Sequence, residues 1–307
     1  MAGKAGARIG QPGGGRGSPA LAAALLAGSV AAILLAALGG LALAFLATDQ
    51  RARTALTGLA DHPWWLIYRG PAASDAAAWA VGAAAAASLV AAAALFVARR
   101  LVEQCLALPV AAAGLFLFTL AFECLRGAVA FLVAADRSPA AALFLHRAVV
   151  WSRFAGLLAL LAVALHALEP REQRLAVFAP VVLVASLAMA ASVPIDRTTF
   201  LAQLTFKLGD EQGVWFVNLV IGALAPLSVA AAALVRREPR LAELAAALVL
   251  LLAARELVFF GLAPVRLACG LAGFAAGSVL LLDAIRRGYV ATRDASGRPA
   301  GTASSAR

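Results

Sequence analysis

Apolar residues dominate eight successive stretches of the chain, at roughly 20–47, 76–98, 106–134, 139–168, 174–195, 213–235, 241–263 and 267–285. A helix needs about 20 apolar residues to cross a bilayer, and each stretch is near or above that length. None shows the sustained two-residue alternation of an outer-membrane strand. The pattern predicts an all-α, polytopic membrane helix bundle of about eight transmembrane helices. It divides the chain into a disordered basic tail over 1–18, a transmembrane domain over 19–287 and a second disordered tail over 288–307. A basic flank before the first apolar stretch also suits a signal peptide, but that stretch exceeds the usual 7–15-residue core of one, so an uncleaved first span is expected.

Composition narrows the class further. Hydrophobic residues make up 63% and charged residues 14% of the 307, against about 45–50% and 25% in soluble domains. That excludes a soluble enzyme, a disordered chain and a disulfide scaffold. The net charge of +10 sits mostly at the ends of the apolar stretches, so it bears on membrane orientation rather than on nucleic acid. With the N-terminus placed inside, 15 of the Lys and Arg residues fall on the inner side and 7 on the outer. Both termini are then cytoplasmic. The excess of Arg and Ala points to a GC-rich bacterial genome, and so to a bacterial cytoplasmic membrane. Neither Lys4 nor Lys207 lies in an apolar stretch, which excludes an intramembrane Schiff base. Cys105, Cys124 and Cys269 have no paired or metal-type spacing, so no structural disulfide, zinc site or other cofactor is expected.

The loops add detail. His62-Pro63-Trp64-Trp65-Leu66-Ile67-Tyr68-Arg69 carries the ring types that settle among headgroups. In the fifth loop, Phe200, Leu201, Leu204 and Leu208 precede Gly209, the spacing of a short surface helix ended by glycine. Either loop anchors at the interface or forms a lid over a pocket. The loop plan of the first four helices recurs in the last four, with Glu123 and Glu256 on equivalent helices, so a four-plus-four repeat is expected. Gly270, Gly273 and Gly277 have the spacing that lets another helix approach closely.

Charges inside the bilayer are costly and mark functional sites by default. Counted from the outer end of each span at about 1.5 Å per residue, Arg126, His146, Arg147, Arg255 and Glu256 lie about 10–12 Å deep. Asn218 lies at about 8 Å, Glu123 at about 16 Å and Arg153 at about 21 Å. Thr119, Glu123 and Arg126 share one helix face, as do His146 and Arg153. The short connection at Asp136-Arg137-Ser138-Pro139 makes the third and fourth spans antiparallel neighbours. A polar site on that hairpin, closed by the seventh span, is expected. Four arginines face two glutamates there, and an arginine fork suits carboxylate or phosphate.

The functional expectation is recognition or transport of an anionic ligand, either free or lipid-linked. Membrane lipids and a partner membrane protein would be the other contacts. Two alternatives remain open: a lipid-modifying enzyme using His146 and Glu123 as acid and base, and a sensor or assembly subunit acting through a partner. Serine-protease GxSG and metalloprotease HExxH patterns are missing. Arg255-Glu256 begins an REXXE pattern, but Phe259 stands where its second Glu would be.

Overall fold

A computed structural model describes residues 18–56, 59, 75–102, 107–168 and 175–297. The Trp64–Tyr68 segment, Cys105, residues 1–17 and residues 298–307 lie outside the described residues. The protein is all-α and largely helical. The helices are α1 (Pro19–Thr48), α2 (Gln50–Ala55), α3 (Ala76–Val102), α4 (Ala107–Ala121), α5 (Leu125–Ala134), α6 (Pro139–Leu168), α7 (Leu175–Ser192), α8 (Glu211–Arg236), α9 (Pro239–Phe260) and α10 (Pro264–Gly297). Helix α10 thus continues past the boundary expected at 287. A 3₁₀ turn over Phe122–Cys124 joins α4 to α5. Among the described residues, six spans are long and apolar enough to cross a membrane, with α4, the 3₁₀ turn and α5 counted as one. This is consistent with a polytopic membrane bundle. The other two apolar stretches are also helical: α7 is shorter, and α9 carries Arg240, Glu243, Arg255 and Glu256.

Local chemistry sets the helix ends. Ser18 Oγ accepts from the Leu21 amide and Pro19 fills the first turn of α1, a start that satisfies one orphan donor and omits another. Asp210 Oδ1 accepts from the Gly213 amide at the start of α8. Arg237 ends α8 in the left-handed region at φ 53°.

The α4–α5 span is the most enclosed, and α6 packs against it. Helices α1, α7, α8 and α10 lie outside, with large apolar side chains turned outward, such as Leu41, Val184 and Leu234. Between α1 and α3, Ser29 Oγ donates to the Ala92 carbonyl and Ser88 Oγ to the Ala32 carbonyl, at 2.9 and 2.8 Å. Such bonds substitute for the hydrophobic drive that lipid does not supply. The glycine stripe of α10 meets α9, where a Cβ on Gly270 or Gly277 would fall within 3.0 Å of Val258 or Leu251.

The fifth loop departs from the expected surface helix. It forms an antiparallel hairpin of β1 (Ile195–Leu201) and β2 (Thr205–Leu208). Ile195, Thr198, Thr199, Phe200, Thr205 and Phe206 are residue types that fit strands. Asp196 tips the balance locally. Its carboxylate accepts from the Thr198 amide and from the Thr198 and Thr199 hydroxyls, a turn that competes with helix. Leu204, at φ 63°, closes the tip by donating to the Leu201 carbonyl. The apolar spacing read as a helix face is instead the hairpin tip, where Leu201 to Phe206 are all buried.

Candidate functional site

Three elements bring the ionisable groups together. The 3₁₀ turn and the start of α5 carry Glu123 and Arg126, α6 carries His146 and Arg153, and the last turns of α9 carry Arg255 and Glu256. Arg126 is completely enclosed. Its Nε lies 3.1 Å from Glu123 Oε2. Its Nη1 donates to the carbonyls of Gln203 in the hairpin tip and Phe259 in α9, at 3.2 and 3.0 Å. One guanidinium therefore ties α5, the hairpin and the end of α9.

Arg153 lies next to this pair. Its Nη2 donates to both oxygens of Glu256 at 2.6 and 2.8 Å. Its Nη1 is 3.5 Å from Glu123 Oε1, close enough for an ion pair but without hydrogen-bond geometry. The ring of Phe259 contacts both cations, with the Arg153 guanidinium carbon 3.8 Å and that of Arg126 4.7 Å from its centroid. An aromatic face attracts cations without adding charge, so Phe259 offers both arginines a favourable contact.

A cavity of about 60 Å³ opens beside Arg153. His146, Arg153, Asn218 and Glu256 line it, together with Thr205, Phe206, Glu211, Trp215 and Phe259. The β2 strand forms one wall, as a lid would. His146 is buried, and its ring lies edge-on to Phe206 at 5.7 Å. Neither of its nitrogens has a hydrogen-bond partner among the described residues, and the same holds for Asn218 Oδ1 and Arg153 Nη1.

Four of the eight expected residues thus share one cavity wall. Glu123 and Arg126 stand behind Arg153. Arg147 and Arg255 take other places. The Nη1 of Arg147 donates to the carbonyls of Ala190 and Ala191 at the end of α7, at 3.1 and 3.2 Å. Arg255 is buried on another face of α9, against Gly156 of α6. With Glu211 on the cavity wall counted, Arg126, Arg153 and Arg255 stand against Glu123, Glu211 and Glu256. Glu211, Trp215, Phe206 and Phe259 were missed by sequence reasoning. For α8 a signal existed, since Glu211, Trp215 and Asn218 are spaced i, i+4, i+7 along one face.

No family model matches the chain, and no curated protein or solved structure matches it.

Proposed function

We propose that this is a bacterial inner-membrane protein that recognises or transports an anionic ligand, free or lipid-linked, at the cavity beneath the hairpin. In this reading all eight apolar helices span the bilayer, both termini are cytoplasmic and the hairpin faces outward. The observation that carries it is the set of buried polar atoms of cavity-lining residues that have no hydrogen-bond partner among the described residues: both His146 nitrogens, Asn218 Oδ1 and Arg153 Nη1, the last with only its ion pair to Glu123. Leaving such atoms unmet costs about 1–3 kcal/mol each. A ligand oxyanion accepting from Arg153 and His146, with a hydroxyl offered to Asn218, meets all three side chains. The cavity has room for about four to six waters, the size of a carboxylate or phosphate group. A larger tail would extend past Trp215, which is partly exposed at the cavity wall. Acid–base catalysis by His146 with Glu123 has less support, because Glu123 lies behind Arg153, held by Arg126, and is not on the cavity wall.

The test is a thermal-stability series on the purified protein with phosphate, acetate, succinate and short-chain phosphatidic acid, at constant ionic strength. A ligand at 100 times its Kd stabilises by about 2.7 kcal/mol, so one class should raise Tm by several degrees. Asn218→Leu and His146→Leu should remove that shift while retaining the fold. A panel without any stabiliser, or variants that keep the full shift, would sink the proposal.

A further inference from the structure

A second site lies at the opposite end of the bundle. Ala76 at the start of α3 and Leu262 just before α10 both pack on Ala202 of the hairpin, so α3 and α10 set out from the same end and run parallel. Their later turns enclose a groove of about 380 Å³. Along α3 it is lined by Val90, Ala93, Ala94, Val97 and Leu101, and along α10 by residues from Ala275 to Leu282. These walls are apolar. Ser278, the one hydroxyl, donates to the Phe274 carbonyl and makes no further demand. Only the far end is charged, with Asp283 and Arg286.

At that end the carboxylates of Asp283 and Glu243 are taken up by Arg287, not by Arg286. Arg287 accepts the burden of both nearby carboxylates, with its Nε 2.8 Å from Asp283 Oδ2 and its Nη1 3.1 Å from Glu243 Oε2. Arg286 is exposed and makes no hydrogen bond or ion pair among the described residues. Arg100, near the end of α3, lies over the Phe96 ring at 5.3 Å, off the groove wall. The groove runs eleven residues along each helix, about 16 Å, which is half of a hydrocarbon core of about 30 Å.

We infer that this groove binds one anionic phospholipid, with an acyl chain along the α3–α10 walls and its phosphate at Arg286. Two observations converge on that occupant: an apolar channel one leaflet deep, and at its polar end an arginine that makes no ion pair among the described residues. A second copy of the chain is a poorer fit. Two-fold pairing would set this face against itself and bring the arginines of both copies together.

The experiment is native mass spectrometry of the full-length protein in detergent, with equimolar phosphatidylglycerol and phosphatidylcholine of identical chains. The wild type should retain one phosphatidylglycerol in preference to phosphatidylcholine. Arg286→Gln should reduce phosphatidylglycerol retention about fivefold, the worth of one basic residue at an anionic surface, and leave phosphatidylcholine unchanged. Ala93→Trp, which fills the groove from an exposed position, should reduce retention of both. Equal retention of the two lipids by the wild type would overturn the inference, as would an Arg286→Gln variant that behaves like the wild type. So would displacement of the lipid by inorganic phosphate alone, or a dimer that Ala93→Trp dissolves.

Discussion

Arg126 shows how a cation survives complete enclosure in this bundle. It has one carboxylate partner in Glu123 and carbonyl acceptors on two other elements. Removing one member of a buried pair costs about 3–5 kcal/mol, because the other charge is stranded. Arg126→Leu should therefore lower the melting temperature sharply and release the hairpin. Arg147→Leu, which loses only carbonyl contacts at the end of α7, should have a much smaller effect. Thermal melts of the two variants in one detergent make the comparison. At the base of the hairpin, hydrogen bonds from the Thr198 side chain and amide, and then from Thr199, hold the Asp196 carboxyl down at about 2. Its unfolded value is about 3.9, so its contribution is complete above pH 4 and is lost as pH falls through about 2. Thr198→Ala should move its NMR titration midpoint upward; an unchanged midpoint would remove the hydroxyl from the account. The sequence leads us to expect Arg126, His146, Arg147, Arg255 and Glu256 at similar depths, because depth follows from counting residues along a helix. It could not place Arg147 and Arg255, because their partners depend on which neighbour each helix face meets. His146 and Arg147 are only 100° apart, yet one lines the cavity and the other caps α7.

At the scale of elements, close approach is decided glycine by glycine. A Cβ on Gly277 would lie 2.8 Å from Leu251 Cγ and 3.3 Å from the Leu251 backbone nitrogen, whereas nothing lies within 4 Å of one on Gly40. Gly277→Ala should cost about 1–3 kcal/mol through overpacking of α9 and α10. Gly40→Ala should gain up to about 1 kcal/mol of helix propensity. Opposite shifts in melting temperature are the expected result. Arg237→Gly should likewise stabilise α8, because its left-handed backbone at an exposed helix end favours glycine. The helices were legible from length and apolarity, and the glycine stripe of α10 from its spacing. Two features were not. The 3₁₀ turn at Phe122–Cys124 leaves no mark in an unbroken apolar stretch. The hairpin hides because Phe200, Leu201, Leu204 and Leu208 satisfy a helical spacing equally well. Only the Thr-Thr-Phe run and the Asp196 turn argue for strands, and both are local signals that a hydrophobic spacing outweighs.

For the whole molecule, the enclosed α4–α5 span and α6 serve as a core, and the apolar outer faces of α1, α7, α8 and α10 are surfaces for lipid. The hairpin tip enters the bundle at one end, and Arg286 lies at the other. In the proposed orientation, the cavity and the groove lie at opposite membrane faces. The most direct test is thiol labelling of a Glu211→Cys variant in intact cells, with Cys105 and Cys269 replaced by Ala and a membrane-impermeant reagent. Glu211 lines the cavity at the start of α8. The account predicts labelling from outside without permeabilisation, slowed by whichever anion stabilises the wild type. Labelling that requires permeabilised cells would contradict it.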